Sequence, residues 1–144
     1  MQRAAVDPAA IALPAEGMNI RWNEPMVPAR VTPGLTFPMA IEITNAGNRA
    51  WAAANSAPEY TGGQFAVRLS HRWCAQSGRD CPGFDLRHDL PASLPPGQTA
   101  RIGIVVTAPS KPGSYELQFD AVQELVAWFS RRGSQRLIIP IDVQ

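Results

Sequence analysis

Lysine is all but missing from this sequence. Lys111 is the only one, and every other cation is an arginine. Thirteen basic residues meet twelve acidic ones, a net charge of +1, so no cationic surplus exists to neutralise a phosphate backbone and nucleic acid is excluded as a partner. Long hydrophobic runs are also lacking. Nothing in the chain reads as a membrane helix or a secretory leader, so direct membrane insertion is not expected. Phosphate loops, dinucleotide fingerprints and Gly-x-Ser-x-Gly elbows are absent. The two histidines, His71 and His88, fall near one hairpin and assemble no specific nucleophile–base–acid set. Asp120 and Glu124 are the best pair for glycoside hydrolysis, which needs two carboxylates across a groove. Their simpler reading is the solvated face of a strand and its turn. The chain is therefore expected to be no enzyme and to hold no cofactor and no metal.

What the sequence has in quantity is punctuation: 14 prolines and 11 glycines, spread along the chain. Pro-Gly pairs at 33–34, 82–83, 96–97 and 112–113 each stand beside an apolar alternation, and each could supply the φ pair of a type II turn. Between the turns, apolar residues recur at period two. Phe37, Met39, Ile41 and Ile43 share one face, as do Phe65, Val67, Leu69 and Trp73. Ile102, Ile104 and Val106 form a third set, Tyr115, Leu117 and Phe119 a fourth, and Leu137, Ile139, Ile141 and Val143 a fifth. Weaker strands are predicted at Met18–Trp22 and Phe84–Leu90. Pro38 argues for an edge position or a bulge. About seven strands without intervening helices predict an all-β, antiparallel two-sheet sandwich of immunoglobulin-like type over residues 18–144. Residues 1–17, rich in alanine and proline, read as a linker or loosely docked arm, and the whole as a domain of a longer chain.

The stretch "LQFDAVQELVAWFSRRG" is ambiguous. Leu117, Phe119 and Ala121 alternate like a strand, whereas Val122, Leu125, Val126 and Phe129 fall on one helical face. A helix this short is marginal in isolation. The reading adopted is a strand from Ser114 to about Glu124, then an irregular corner over Leu125 to Ser130. Trp128 and Phe129 are neighbours, so in an extended segment only one faces inward. The other is a candidate contact residue, with Arg131 and Arg132 placed to lay their stems over it.

Cys74 and Cys81 flank a loop carrying Ser77-Gly78. If the flanking segments form a hairpin, a cross-strand disulfide closes its end and contributes about 2.5 kcal/mol in the chain-entropy model. Such a bond points to an oxidising compartment, periplasmic or extracellular, with the cytoplasm a second possibility. The competing reading, H-x2-C-x6-C-x6-H from His71 to His88, offers four zinc-ligand types, but alternation puts His71 and Cys74 on opposite faces.

The phrase "TPGLTFPMAIEITNAGNRAW" resembles the four-tryptophan (FW) domain, an immunoglobulin-like module of selective-autophagy receptors with bacterial relatives. The phrases "LPPGQTARIGIVVTAPSKPGSYELQFD" and "VQELVAWFSRRG" are more similar to the bacterial branch, with Leu125 standing where that pattern often has glycine. Trp51, Trp73 and Trp128 match family-like positions. The resemblance implies an accessory domain of cell-surface polysaccharide or glycosyltransferase proteins. The function expected is a non-catalytic recognition module of a bacterial envelope protein, monomeric as an isolated domain. It would bind glycan through exposed aromatics, or a protein partner, or serve as a spacer. The candidate contact residues are Trp128, Phe129, Trp51, Tyr60, Arg131 and Arg132, because indole and phenol rings combine large area with a polar tip.

Overall fold

The computed structural model describes residues 11–54, 65–76 and 81–144. Nine strands build two sheets packed face to face: β1 (Ile20–Asn23), β2 (Arg30–Val31), β3 (Thr36–Asn45), β4 (Val67–Ala75), β5 (His88–Asp89), β6 (Thr99–Thr107), β7 (Gly113–Gln123), β8 (Ala127–Trp128) and β9 (Leu137–Val143). The smaller sheet runs β1-β3-β6 and the larger β2-β9-β7-β4-β5, with β8 paired to β7. The sandwich expected from the alternation is the fold observed. Among the described residues every strand pairing is antiparallel except β2 with β9, where Arg30 and Val31 run parallel to Asp142 and Val143. The chain thus leaves the small sheet after β1 and joins the large one at β2.

Alternation sets the core. Ile41, Ile43, Ile102 and Val106 from one sheet meet Val67, Leu69, Leu117, Phe119 and Ile141 from the other, all buried. The predicted strand Phe84–Leu90 contracts to His88–Asp89, because most of that segment lies as a loop over the outer face of the large sheet. Phe65 is not in a strand; it takes φ +66 in the turn before β4. Trp73, read as core, is only half-buried. Pro38 is exposed and pairs with Val105 on the stretch of β3 that β1 does not cover, an edge position as predicted.

Two of the four Pro-Gly pairs make the expected turn. Gly34 and Gly97 have φ +75 and +80, and the flanking bonds Leu35 N–H to Thr32 O and Gln98 N–H to Pro95 O close four-residue turns. Gly83 and Gly113 do not take positive φ; Gly113 simply opens β7.

The "NAGN" segment ties the N-terminal arm down. Asn45 is fully buried; its Oδ1 accepts from Gly47 N–H, and its Nδ2 donates to the carbonyls of Arg49 and Leu94. A Cβ on Gly47 would sit 2.6 Å from the Gly17 carbonyl oxygen, so only glycine admits the arm here. Trp51 Nε1 donates to that same oxygen at 2.8 Å. The described part of the arm docks firmly: Leu13 is buried, its N–H donating to Gln123 Oε1, and a short 3-10 turn at Ala15–Gly17 leads into β1.

The ambiguous stretch resolves as strand, turn, short strand, then a 3-10 turn at Phe129–Arg132. Leu125 occupies the reversal with φ +64, the left-handed region, and Val126 N–H bonds back to Gln123 O. Left-handed backbone costs an L-residue about 1–2 kcal/mol. Leu125 is 84% exposed, so its side chain recovers little of that by burial. Leu125→Gly is expected to raise unfolding stability by about 0.5–1 kcal/mol after the larger unfolded-state entropy of glycine is counted. Urea unfolding of the two proteins checks it; a loss of stability would show that the leucine side chain packs against something.

Candidate functional site

Trp128 and Phe129 part as an extended segment demands. Phe129 is fully buried, edge-on to the fully buried Trp51 with ring centroids 5.2 Å apart. Both are therefore core plugs at one end of the sandwich, and neither offers a surface. Trp128 is the one left outside, half-exposed. The arginine over it is Arg87 at 4.9 Å, while Phe84 packs beside it at 5.4 Å. Arg131 and Arg132 are exposed, and among the described residues neither lies over the Trp128 ring; Arg132 instead borders a groove with Glu16. Tyr60 lies outside the described residues.

Trp128 thus closes a stack across the outer face of the large sheet. Arg72 lies over one side of Phe84 at 4.1 Å and Arg136 also over that ring at 5.1 Å. Beneath them Asp120 is 1% exposed, not solvated as its alternation implied. Its carboxylate accepts from Ala121 N–H, Ser130 N–H, Ser130 Oγ and Arg136 Nε. Glu124, the other acid of the proposed pair, is held by Arg68 and Arg87. Both carboxylates are committed to cations of this chain. Burial, reinforced by Arg136 and opposed by Asp120, pulls the Arg72 guanidinium below its ordinary pKa. Sequence reading missed Phe84, Arg87 and Arg136, because nothing in a period-two pattern reports that the outward face of a strand is covered.

The predicted disulfide is present: Cys74 and Cys81 are joined, with Cα atoms 4.5 Å apart, and this ties the loop leading to Phe84 onto β4. His71 lies on the opposite, inner face, packed against Phe119 and stacked on His88 with ring planes 3° apart and Nδ1 to Nε2 2.7 Å. One shared proton satisfies this pair; a second has no acceptor. Burial and the His88 charge lower the His71 pKa to about 4, and burial lowers that of His88 against the pull of Asp89. The folded pKa is depressed, so the unfolded chain binds more protons below pH 6.5. Stability is then full above about pH 6.5 and falls as pH drops toward 4. A shift of this size is worth at most about 3.5 kcal/mol, and partial solvation of the pair reduces the expected loss to about 1–2 kcal/mol. Urea midpoints between pH 7.5 and 4.5 measure it. The double variant His71→Leu/His88→Leu should flatten the slope relative to the parent; an unchanged slope would assign it to other groups.

The remaining feature is a strand edge that, among the described residues, has no backbone partner. Of the sheet-end strands, β1 has four residues and β2 and β5 two each. Exposed lengths of β3 and β9 carry Pro38 and Pro140. Short edges and prolines are how natural sheets refuse extra strands. β6 has nine residues, no proline and one charge, Arg101. Asn45 N–H bonds to Gln98 O and Ala108 N–H to Leu35 O at its two ends. Ladder parity then turns the N–H and C=O of Arg101, Gly103, Val105 and Thr107 away from β3. Among the described residues, no backbone group pairs with them. Moreover, among the described residues the large sheet continues past β4 to β5, whereas the small sheet stops at β6. Next to this missing strand position opens a cleft of about 570 Å³, walled by Trp73, Leu86, Val105, Thr107, Tyr115 and His71. Val105 is 63% exposed and Leu86 52%.

No family model matches the chain, and no curated protein matches its sequence. Similar solved structures exist. The Pseudomonas fluorescens alkylpurine DNA glycosylase AlkC, bound to DNA containing an abasic site analog, superposes at a TM-score of 0.50 and 11% identity over 88% of this chain and 30% of that one. AvmM, which catalyses macrocyclization in alchivemycin A biosynthesis, gives 0.49 and 12% over 87% of this chain and 88% of its own. A CARDB domain from Pyrococcus furiosus gives 0.45 and 12% over 87% and 90%. The chain spans 30%, 22% and 15% of the first three solved proteins it matches. At 11% identity the likeness to AlkC bears on the fold alone, and nothing is drawn from the other two.

Proposed function

We propose that this domain is a non-catalytic recognition module that binds an extended polypeptide segment by strand addition at β6. The observation that carries the reading is the edge of Arg101, Gly103, Val105 and Thr107, which has no backbone partner among the described residues, beside the apolar cleft. Alternating main-chain donors and acceptors on one edge are complementary to another backbone, and a neighbouring pocket selects alternate side chains. A strand seated there would extend the small sheet over the overhanging β5 region and send every second side chain toward Trp73, Leu86 and Tyr115. Glycan stacking on aromatics has less support. Trp51 and Phe129 are buried, and Trp128 has Arg87 over its face. The resemblance to bacterial FW-type domains accords with an accessory role in an envelope protein. The disulfide favours a periplasmic or extracellular setting.

Selection from a displayed library of random decapeptides tests this. Binders should alternate apolar and polar residues and lose at least about tenfold in affinity, 1.4 kcal/mol, against Gly103→Pro. That proline removes only an N–H facing the free edge, so thermal unfolding should be little changed. A glycan-array signal abolished by Trp128→Ala and indifferent to Gly103→Pro would overturn the proposal in favour of carbohydrate recognition.

A further inference from the structure

On a different surface from the β6 edge, and independent of it, lies a groove of about 540 Å³ lined by Ser130, Arg131, Gln135, Arg136 and Ile138. Its two cations are not balanced. Arg131 is exposed and forms no ion pair among the described residues. Arg136 gives Nε to Asp120, but that carboxylate already receives three further hydrogen bonds, from Ala121 and Ser130. The next acid along β7, Glu116, accepts from Gln118 instead. Arg136 also shares the Phe84 ring with Arg72, so two guanidinium groups crowd one ring and one saturated carboxylate.

The Arg136 guanidinium is thereby tethered at one nitrogen before any ligand arrives. Its Nε is held by a buried acid and its Cζ lies 5.1 Å from the Phe84 ring centre, and among the described residues its terminal nitrogens have no hydrogen-bond partner. A preorganised guanidinium loses little entropy on binding, and guanidinium pairs bind planar or tetrahedral oxyanions through two parallel hydrogen bonds. Gln135 adds a neutral polar group, and Ile138, 50% exposed, supplies an apolar floor.

We propose that this groove is a binding site for an anionic oxygen group, a carboxylate or a phosphate, gripped between Arg131 and Arg136. The test is ¹⁵N NMR of the intact domain, titrated at constant ionic strength with sodium glucuronate, inorganic phosphate and, as reference, sodium chloride. The expected result is saturable shifts at the Arg136 Nε–H and the Ser130 and Gln135 amides, with a Kd on the order of 1–10 mM. Chloride should not reproduce them. Saturation by glucuronate alone identifies a carboxylate ligand, by phosphate alone a phosphate ligand, and by both a general oxyanion site. Arg131→Gln, at an exposed residue without an ion pair, should keep the parent spectrum elsewhere and weaken binding about five- to tenfold. Shifts that chloride matches, that never saturate, or that survive Arg131→Gln unchanged would overturn the site.

Discussion

Asp120→Ala should destabilise the domain by about 3–5 kcal/mol, a large part of the total for a domain of this kind. The carboxylate is 1% exposed and stands on the outward face of β7, where the segment carrying Ser130 and Arg136 closes over it. Removing it leaves the Arg136 guanidinium beside Arg72 with no ion-pair partner among the described residues, and strands the Ser130 N–H and Oγ. Charge and hydrogen bonding can be separated. Asp120→Asn keeps an acceptor for Ser130 or Ala121 but lacks the charge, and about half the loss is expected to remain. The double variant Asp120→Ala/Arg136→Met removes the orphaned cation with its partner, and should recover part of the loss if uncompensated charge is its source. Urea unfolding of the four proteins measures each term. A cost below about 1 kcal/mol for Asp120→Ala would mean that the outer face is wetter than the burial of Asp120 indicates.

The same residue shows where reading from sequence stops. Alternation places Asp120 opposite Leu117 and Phe119 in facing, and the structure agrees. Period two reports direction only; it carries no information on whether a loop covers the outward face. Cover came from Phe84, predicted as part of a strand, which the Cys74–Cys81 bond brings back across β4. The long strands were legible because each has its own apolar face. The disulfide was legible because a short loop separates its cysteines. The Trp128–Phe129 corner was half legible: neighbours in extended backbone must face opposite ways, but which one enters depends on Trp51 arriving from far upstream to meet it. The β6 edge could not be seen at all from its sequence. A strand is an edge only through what fails to pair with it.

The second large effect is expected at Trp51. Trp51→Ala should cost about 3–5 kcal/mol, the range for deleting a buried large aromatic. Three separate links are cut. The ring leaves Phe129 without its edge-on partner, an aromatic contact worth about 0.5–1.5 kcal/mol beyond area alone. The indole N–H no longer reaches Gly17 O, which then lies buried against Gly47 without that donor. The cavity opens where Leu13, Met18 and Leu94 pack in the same core. Trp51→Phe retains most of the ring and loses the N–H, so its smaller cost isolates the Gly17 hydrogen bond at about 1–2 kcal/mol. A double-mutant cycle with Phe129→Leu isolates the ring pair. The arm supplies an independent readout. If Trp51 anchors it through Gly17, amide exchange at Leu13, Gly17 and Met18 should accelerate in Trp51→Phe while β4 and β7 remain protected. Uniform acceleration throughout the domain would instead make Trp51 a core filler alone, and the arm would owe its docking to Gln123 and the Asn45 turn.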